Sequence, residues 1–219
     1  EVFIRKLSRM VNDVKLSQKL YNNTRCKIFN IDTRYNSPND IKADIVITSP
    51  PYLNRNNYFA QQKAEISVLS IIKDMDTYKS LVQRSFCSHI EADLPKQIKS
   101  SIPEVNIILD AVIKQESNNA KIPNMIAGYF DDLNMFLSNL KNNLKSESKL
   151  AIVVANSRWN GVVIPVDHLL ALIAERQGYK IEKIIIARMK GNSPQQMSKY
   201  GKIPVRESIV FLSYKKPRK

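Results

Sequence analysis

Five consecutive residues, Thr48 to Tyr52, form the segment of this chain best suited to chemistry. They follow an apolar run that predicts a buried strand. Open α/β sheets bind ligands where such strands end. Two successive prolines, Pro50 and Pro51, have a fixed φ, and Ser49 is extended because it precedes a proline. The carbonyl groups of this rigid turn can face outward beside the Ser49 hydroxyl and the Tyr52 ring. Such a turn suits a planar ring with an amino group, because the oxygens accept its N–H bonds while the tyrosine stacks on its face.

The charge of the chain indicates a polyanionic partner. A total of 34 Lys and Arg against 20 Asp and Glu gives a formal net charge of +14, with a pI of about 9.7. The excess is uneven, since residues 176–219 contain twelve basic and two acidic residues whereas residues 61–127 contain eight of each sign. We expect nucleic acid to meet the C-terminal part first. A basic surface that is merely solvated is the alternative.

Residues 188–206 concentrate this charge in a predicted loop. The segment mixes basic, amide and tyrosine side chains, which are types that contact phosphates and base edges. We predict nucleic-acid contact here rather than a solvated hairpin. The candidate residues are Arg188, Lys190, Gln195, Gln196, Lys199, Lys202 and Arg206. Asn156 lies at the end of another predicted strand, where its side chain either lines a base pocket or caps a loop.

Composition and residue counts exclude several other classes of protein. With 219 residues, 43% hydrophobic and 25% charged, the chain is predicted to be globular. All five glycines follow residue 127, which excludes a P-loop or a GxGxxG loop before that point. Cys26 and Cys87 are predicted to be buried thiols, since they are too few for a disulfide framework and lack metal-site spacing; no metal is expected. No apolar run is long enough to cross a membrane and no signal peptide is recognised, so a cytoplasmic location is expected.

The hydrophobic pattern predicts an α/β fold. The predicted helices cover residues 2–21, 64–73, 77–86, 103–114, 125–144 and 166–177. The predicted strands cover residues 26–32, 43–52, 150–157, 180–188 and 208–214. The last two strands are joined without a long helix, which predicts an antiparallel edge on a mostly parallel sheet.

This order of elements predicts three parts. Residues 1–52 begin a sheet domain, residues 53–127 form a helical insertion, and residues 128–219 complete the sheet domain and carry the basic loop 188–206.

These features resemble the amino-methylating DNA methyltransferases. The signature of that family is a strand followed by Asp, Asn or Ser, then Pro-Pro, then Tyr or Phe, and the TSPPY form here is similar to that of enzymes that methylate the 4-amino group of cytosine. NIDTR, at residues 30–34, is similar to the family's acidic strand end before the signature. Residues 139–157, 161–188 and 201–216 resemble later segments of the family. The implied fold is part of a Rossmann-like methyltransferase sheet.

The resemblance implies S-adenosylmethionine as cofactor and double-stranded DNA as partner, with DNA methylation and restriction-modification as the context. By resemblance, the Ser49 hydroxyl and the Pro50 carbonyl accept hydrogen bonds from the target amine, and Tyr52 stacks on the flipped base. Asp32 and Thr48 are assigned to the cofactor, Asp32 as the acceptor for its adenine amino group. Asp32 is equally suited to forming a turn. Cytosine N4 is favoured over adenine N6.

The chain departs from the family in one respect. The family's Phe-x-Gly-x-Gly cofactor loop is missing before Gly128, and no glycine cluster replaces it afterwards. The opening EVFIRKL resembles the helix that follows the family's ribose-binding strand. We therefore expect a split enzyme, in which a companion polypeptide carries the cofactor loop. The alternatives are an RNA or small-molecule amino-methyltransferase and a non-catalytic nucleic-acid-binding remnant.

Overall fold

The computed structural model describes the chain except for residues 21–24, 54–55, 116–118, 192–193 and 217–219 and the side chains of Lys190, Gln195 and Gln196. The chain divides into two units, residues 1–31 and residues 32–219. In the part that is described, no helix is both long and apolar enough to cross a membrane.

The first unit contains a single described helix, α1 (Val2–Leu20), as the helical spacing predicted. None of its residues is buried. The predicted strand at 26–32 is wrong, because its described residues pair with no strand. An apolar, β-branched sequence forms a strand only when a neighbour takes up its backbone hydrogen bonds. Cys26 lies in this segment and is exposed, which corrects its prediction as a buried thiol, whereas Cys87 is buried as predicted.

The second unit is built on a four-stranded sheet with the order β1-β2-β6-β5. Its strands are β1 (Ala43–Thr48), β2 (Leu144–Ala155), β5 (Tyr179–Lys190) and β6 (Val205–Tyr214). Strands β1 and β2 are parallel, and β6 is antiparallel to both β2 and β5. The α/β class and the antiparallel pairing at the edge are confirmed. The strand that runs in the opposite direction is β6. It lies between β2 and β5 and not at the edge of the sheet, because the short connection after β5 returns the chain between these two strands.

One face of the sheet is covered by apolar helices. Helix α6 (Ile122–Leu140) buries its amphipathic stripe in the core, and α7 (Val166–Arg176) packs against β2, β5 and β6. Alternate residues of β2 are buried on this face: Leu150, Ile152 and Val154. Gly178 follows α7 at a φ of +86°, the left-handed conformation in which glycine ends a helix without strain. The residues after α6 form a short 3-10 turn, so α6 ends before the predicted residue 144.

The opposite face of the sheet is partly exposed. Ile45 and Ile47 of β1 are 66% and 78% exposed, and Ile185 of β5 is 40% exposed. Strand β1 is also an edge strand, since its pairing in the described chain is with β2 alone. The second unit therefore has an apolar face and an open strand edge on the side of β1.

Between β1 and α6 the described regular elements are all helices. The elements are α2 (Tyr58–Gln61), α3 (Lys63–Val68), α4 (Met75–Gln83) and α5 (Pro103–Ile113). Pro103 occupies the first turn of α5, where its missing N–H costs nothing. Helix α3 is shorter than predicted.

A hairpin and two short helices, one of them α2, were not predicted. A small hairpin pairs β3 (Ser157–Trp159) with β4 (Val162–Ile164), and Asn160 and Gly161 both have positive φ in its turn. Asn-Gly is the preferred pair for such a two-residue turn, so the sequence carried a signal for it. A short helix, α8 (Pro194–Tyr200), occupies the segment predicted as a basic loop.

Candidate active site and its relatives

The Ser-Pro-Pro-Tyr turn lies directly after β1. Thr48, the last residue of β1, is opposite Ile152 of the parallel strand β2, so the turn stands at the carboxyl edge of the sheet. Ser49 is exposed, and Tyr52 is half-buried. The next residue, Leu53, is fully buried in the core. The turn is therefore anchored at both ends, and Ser49 between these anchors is exposed.

The Tyr52 side chain is bound from across the sheet. Its hydroxyl donates a hydrogen bond of 2.6 Å to Oε1 of Glu207, a buried residue of β6. The other oxygen of Glu207 pairs with Nε of Arg188 on β5. Burial of the phenol and its bond to Glu207 raise the pKa of Tyr52, and a hydrogen bond with Ser49 opposes this rise. Glu207 was not predicted as a site residue. Its position could have indicated a role, because it is an acidic residue within an apolar strand of a strongly basic region.

Asp32 belongs to a cluster of charges around one arginine. Arg34 Nη2 lies 2.7 Å from Asp32 Oδ2, and Arg34 Nη1 lies 3.0 Å from Asp132 Oδ2 on α6. The hydrogen bond from the Arg34 side chain lowers the pKa of Asp32, whereas burial raises the pKa of Asp132. Asp32 also accepts a hydrogen bond from the Arg34 backbone N–H, as a turn-forming aspartate does. Its side chain stays 37% exposed, and its assignment to the cofactor stays a prediction.

Asn156 caps a helix. Its Oδ1 accepts a hydrogen bond of 3.1 Å from the Asp167 backbone N–H at the start of α7, as in the capping alternative. Asp167 is fully buried and accepts from Arg206 Nε at 2.7 Å and from Ser208 Oγ at 2.6 Å. Burial alone would raise the pKa of Asp167, but these bonds outweigh it and hold the pKa below its ordinary value. The polar group of Asn156 is therefore engaged in the fold.

The structure separates the candidate nucleic-acid contacts into two groups. Arg188 and Arg206 form ion pairs with Glu207 and Asp167. Lys199, on α8, and Lys202 are exposed. The side chains of Lys190, Gln195 and Gln196 lie outside the described part of the chain.

Arg158, a buried arginine that was not predicted as a functional residue, holds part of the basic segment 188–206 in place. Arg158 of β3 is 7% exposed and donates to the carbonyl oxygens of Gly161 (3.1 Å), Tyr200 (2.5 Å) and Gly201 (2.7 Å). Its guanidinium also lies 5.7 Å from the centre of the Tyr200 ring. A Cβ on Gly161 would lie 2.9 Å from that ring, so only glycine permits this approach. The β3–β4 hairpin thus holds the end of α8 in place.

A metal ion and a nucleoside cofactor would need different residues at this site. No cluster of three potential metal ligands occurs within the described ranges. For a nucleoside cofactor the fit is partial: Asp32 offers a half-exposed carboxylate, but the glycines that would let a backbone approach phosphate or ribose closely are missing from residues 1–127.

The similarity to known proteins is clear at the sequence level. The chain is 34% identical over 201 residues to Type II methyltransferase M.BsoBI of Geobacillus stearothermophilus, covering 79% of this chain and 38% of that protein. It is 31% identical over 191 residues to the Type II methyltransferases M.AvaI of Nostoc sp. and of Anabaena variabilis, covering 80% of this chain and 38% of each. The chain thus spans well under half the length of these curated relatives. No protein-family model matches it.

A solved structure was also found, a DNA modification methylase of Thermus thermophilus. It is similar over 86% of this chain and 52% of that one, with 13% identity and a TM-score of 0.38. The sequence relatives show that this chain is homologous to part of the Type II methyltransferases M.BsoBI and M.AvaI.

Proposed function

We propose that this chain carries the catalytic turn of an S-adenosylmethionine-dependent DNA methyltransferase that acts on an exocyclic amine, with the 4-amino group of cytosine as the preferred target. The observation that carries the proposal is the exposed residue Ser49 on a turn anchored by β1 and Leu53, with Tyr52 three residues further on. Adenine N6 is the second target, and an RNA amino-methyltransferase or a non-catalytic remnant are the competing functions.

The proposed roles follow from the chemistry of a conjugated amine, which is a poor nucleophile because its lone pair is delocalised into the ring. The Ser49 hydroxyl and the Pro50 carbonyl accept its N–H bonds and shift electron density towards nitrogen, and Pro51 keeps the turn rigid. Tyr52 stacks on the flipped base. The methyl group is supplied by S-adenosylmethionine when it is bound, and Asp32 and Thr48 are the residues of this chain proposed to hold it.

The catalytic assignment is tested by the variants Ser49→Ala and Tyr52→Ala in the assembled enzyme, with Ser146→Ala as a control on an exposed residue of β2. Methyl transfer from labelled cofactor is measured on DNA and on RNA, followed by base analysis of the product. We expect methylated cytosine in DNA, and a loss of about 100-fold or more in both site variants, at nearly unchanged thermal stability for Ser49→Ala. Tyr52→Ala should also lose some stability, because the buried Glu207 loses a hydrogen bond. A parallel loss of stability in both variants would contradict a catalytic role.

We propose that Lys199 and Lys202 contact DNA phosphates, together with Lys190. The exposure of the first two and the anchoring of α8 by Arg158 support this assignment. Neutralising all three should weaken binding to every DNA sequence and reduce the salt dependence by roughly one unit of slope for each phosphate that is no longer bound. An unchanged salt slope would show that the segment faces solvent.

We also propose that a companion polypeptide with the Phe-x-Gly-x-Gly loop completes the cofactor site. The exposed apolar side chains of β1 and its open strand edge support this, since proteins usually cover both. The interface is expected to be large and mainly hydrophobic. Calorimetric titration of S-adenosylmethionine into this chain should show weak or no binding, and the same titration after the companion is added should show tight binding. Tight binding by the chain alone would refute the split enzyme.

A further inference from the structure

We propose that Glu207 is a positioning residue for Tyr52, fixing the ring in the orientation in which it stacks on the target base. This inference rests on the proposed function. In it, Arg188 is the counter-ion of Glu207.

The bond between the two residues spans the sheet. Tyr52 follows β1, whereas Glu207 lies on β6, where it is opposite Ala155 of β2 and Arg188 of β5. Strand β2 lies between β1 and β6, so the 2.6 Å bond from Tyr52 Oη to Glu207 Oε1 ties the turn to a strand that is not its neighbour. The preceding prolines fix the backbone up to Tyr52, and the bond at the far end of the ring then limits its remaining rotation.

The charges around Glu207 suit this task. Only 8% of the residue is exposed, and an ionised carboxylate at such a position needs both a cation and hydrogen bonds. Arg188 supplies the cation through its Nε, and the Tyr52 hydroxyl supplies a hydrogen bond. Burial alone does not require an acid here, since apolar residues of similar volume often replace buried ion pairs without loss of stability, whereas orienting a phenol hydroxyl requires an acceptor. The side chain of Arg188 remains 64% exposed, but its guanidinium already serves this pair.

The proposal is tested with Tyr52→Phe, Glu207→Ala, their double variant and Glu207→Gln in the assembled enzyme. Tyr52→Phe keeps the stacking ring and removes the hydroxyl. We expect both single variants to lower kcat about 10- to 100-fold with little change in KM for DNA, since misorientation acts on the reacting geometry. The double variant should lose no more than the single ones, because they remove the same bond. Glu207→Gln, which keeps an acceptor, should recover part of the kcat lost in Glu207→Ala.

A second readout needs no catalysis. In the chain labelled with ¹³C at the tyrosine ring, NMR titration of Tyr52 should show a lower pKa in Glu207→Gln than in the wild type, because a negative acceptor is lost. Glu182→Gln is the matched control: Glu182 accepts a hydrogen bond of 2.6 Å from Ser213 and pairs with Lys149, away from the turn. It should leave both the Tyr52 titration and kcat unchanged.

Two results would overturn the positioning role: a Tyr52 titration that does not respond to Glu207→Gln, or kcat losses that add in the double variant. A wild-type enzyme that methylates no nucleic acid would instead refute the proposed function, and the NMR titration would still show whether Glu207 holds Tyr52.

Discussion

The two faces of the four-stranded sheet differ sharply although they share the same strands. On the face covered by α6 and α7, Ile152 and Val210 are fully buried, while on the other face Ile45 and Ile47 are mostly exposed. In β2 the neighbours Ile152 and Val153 point to opposite faces, because side chains alternate along a strand. Apolar residues on both sides are typical of a sheet covered on both faces. The difference indicates that the covered face contributes most of the core of this unit, and the other face is the one that we propose binds the companion polypeptide.

The largest expected effect is on the covered face. Ile152→Ala should lower the free energy of unfolding by about 3 kcal/mol, since it leaves a cavity among fully buried neighbours. Urea unfolding monitored by circular dichroism measures the change. A loss below about 1 kcal/mol would mean that this face does not form the core.

The next largest effect on stability is expected for Asp167, a fully buried residue in the first turn of α7. Asp167→Asn should cost about 2 kcal/mol at neutral pH, because Arg206 and Ser208 lose their charged acceptor. The pKa of Asp167 is lowered in the folded chain, so its ionised form stabilises the fold above the ordinary carboxyl pKa. That contribution is lost as the pH falls through the lowered value. Unfolding curves of the two proteins should therefore converge below about pH 4; a constant difference down to about pH 2 would contradict the ion pair.

A smaller effect is expected on the opposite face. Val153→Ala should change the free energy of unfolding by less than about 1 kcal/mol, since Val153 is only partly buried. It is the matched partner of Ile152→Ala, one residue away on the same strand. Equal losses in the two variants would remove the distinction between the faces.

The smallest effect on stability, and the most specific test of the surface, is expected for Ile47→Asp. The residue is 78% exposed, so the isolated chain should lose less than about 0.5 kcal/mol. Assembly with the proposed companion polypeptide should nevertheless fail, because a charge would be buried without a partner. Sedimentation velocity of the mixture measures assembly. Ile107→Asp on α5, at a residue 70% exposed, is the control and should assemble normally; assembly of the Ile47 variant would place the interface elsewhere.

Several elements could be predicted because their signals are local. The prolines end β1, the apolar stripe defines α6, and Gly178 ends α7. The strand predicted at 26–32 is wrong because strand formation is not local. It depends on pairing with a neighbouring strand, which the sequence of the segment does not encode. The Asn160-Gly161 hairpin carried a local signal, but its strands of three residues are too short for a recognisable alternation.

The sequence by itself determined which residues are available for chemistry and what the chain is related to: a rigid Ser-Pro-Pro-Tyr turn after a strand, a basic C-terminal part and the similarity to the methyltransferases. Rigidity and charge are properties of residue types in order along the chain, so they can be read before folding. The tertiary structure alone decided which side chains are already engaged. It brought Glu207 to Tyr52 across 155 positions, Asp167 to Arg206 across 39 and Arg158 to Tyr200 across 42. Such bonds depend on strand order and register, which arise from packing the whole sheet against its helices.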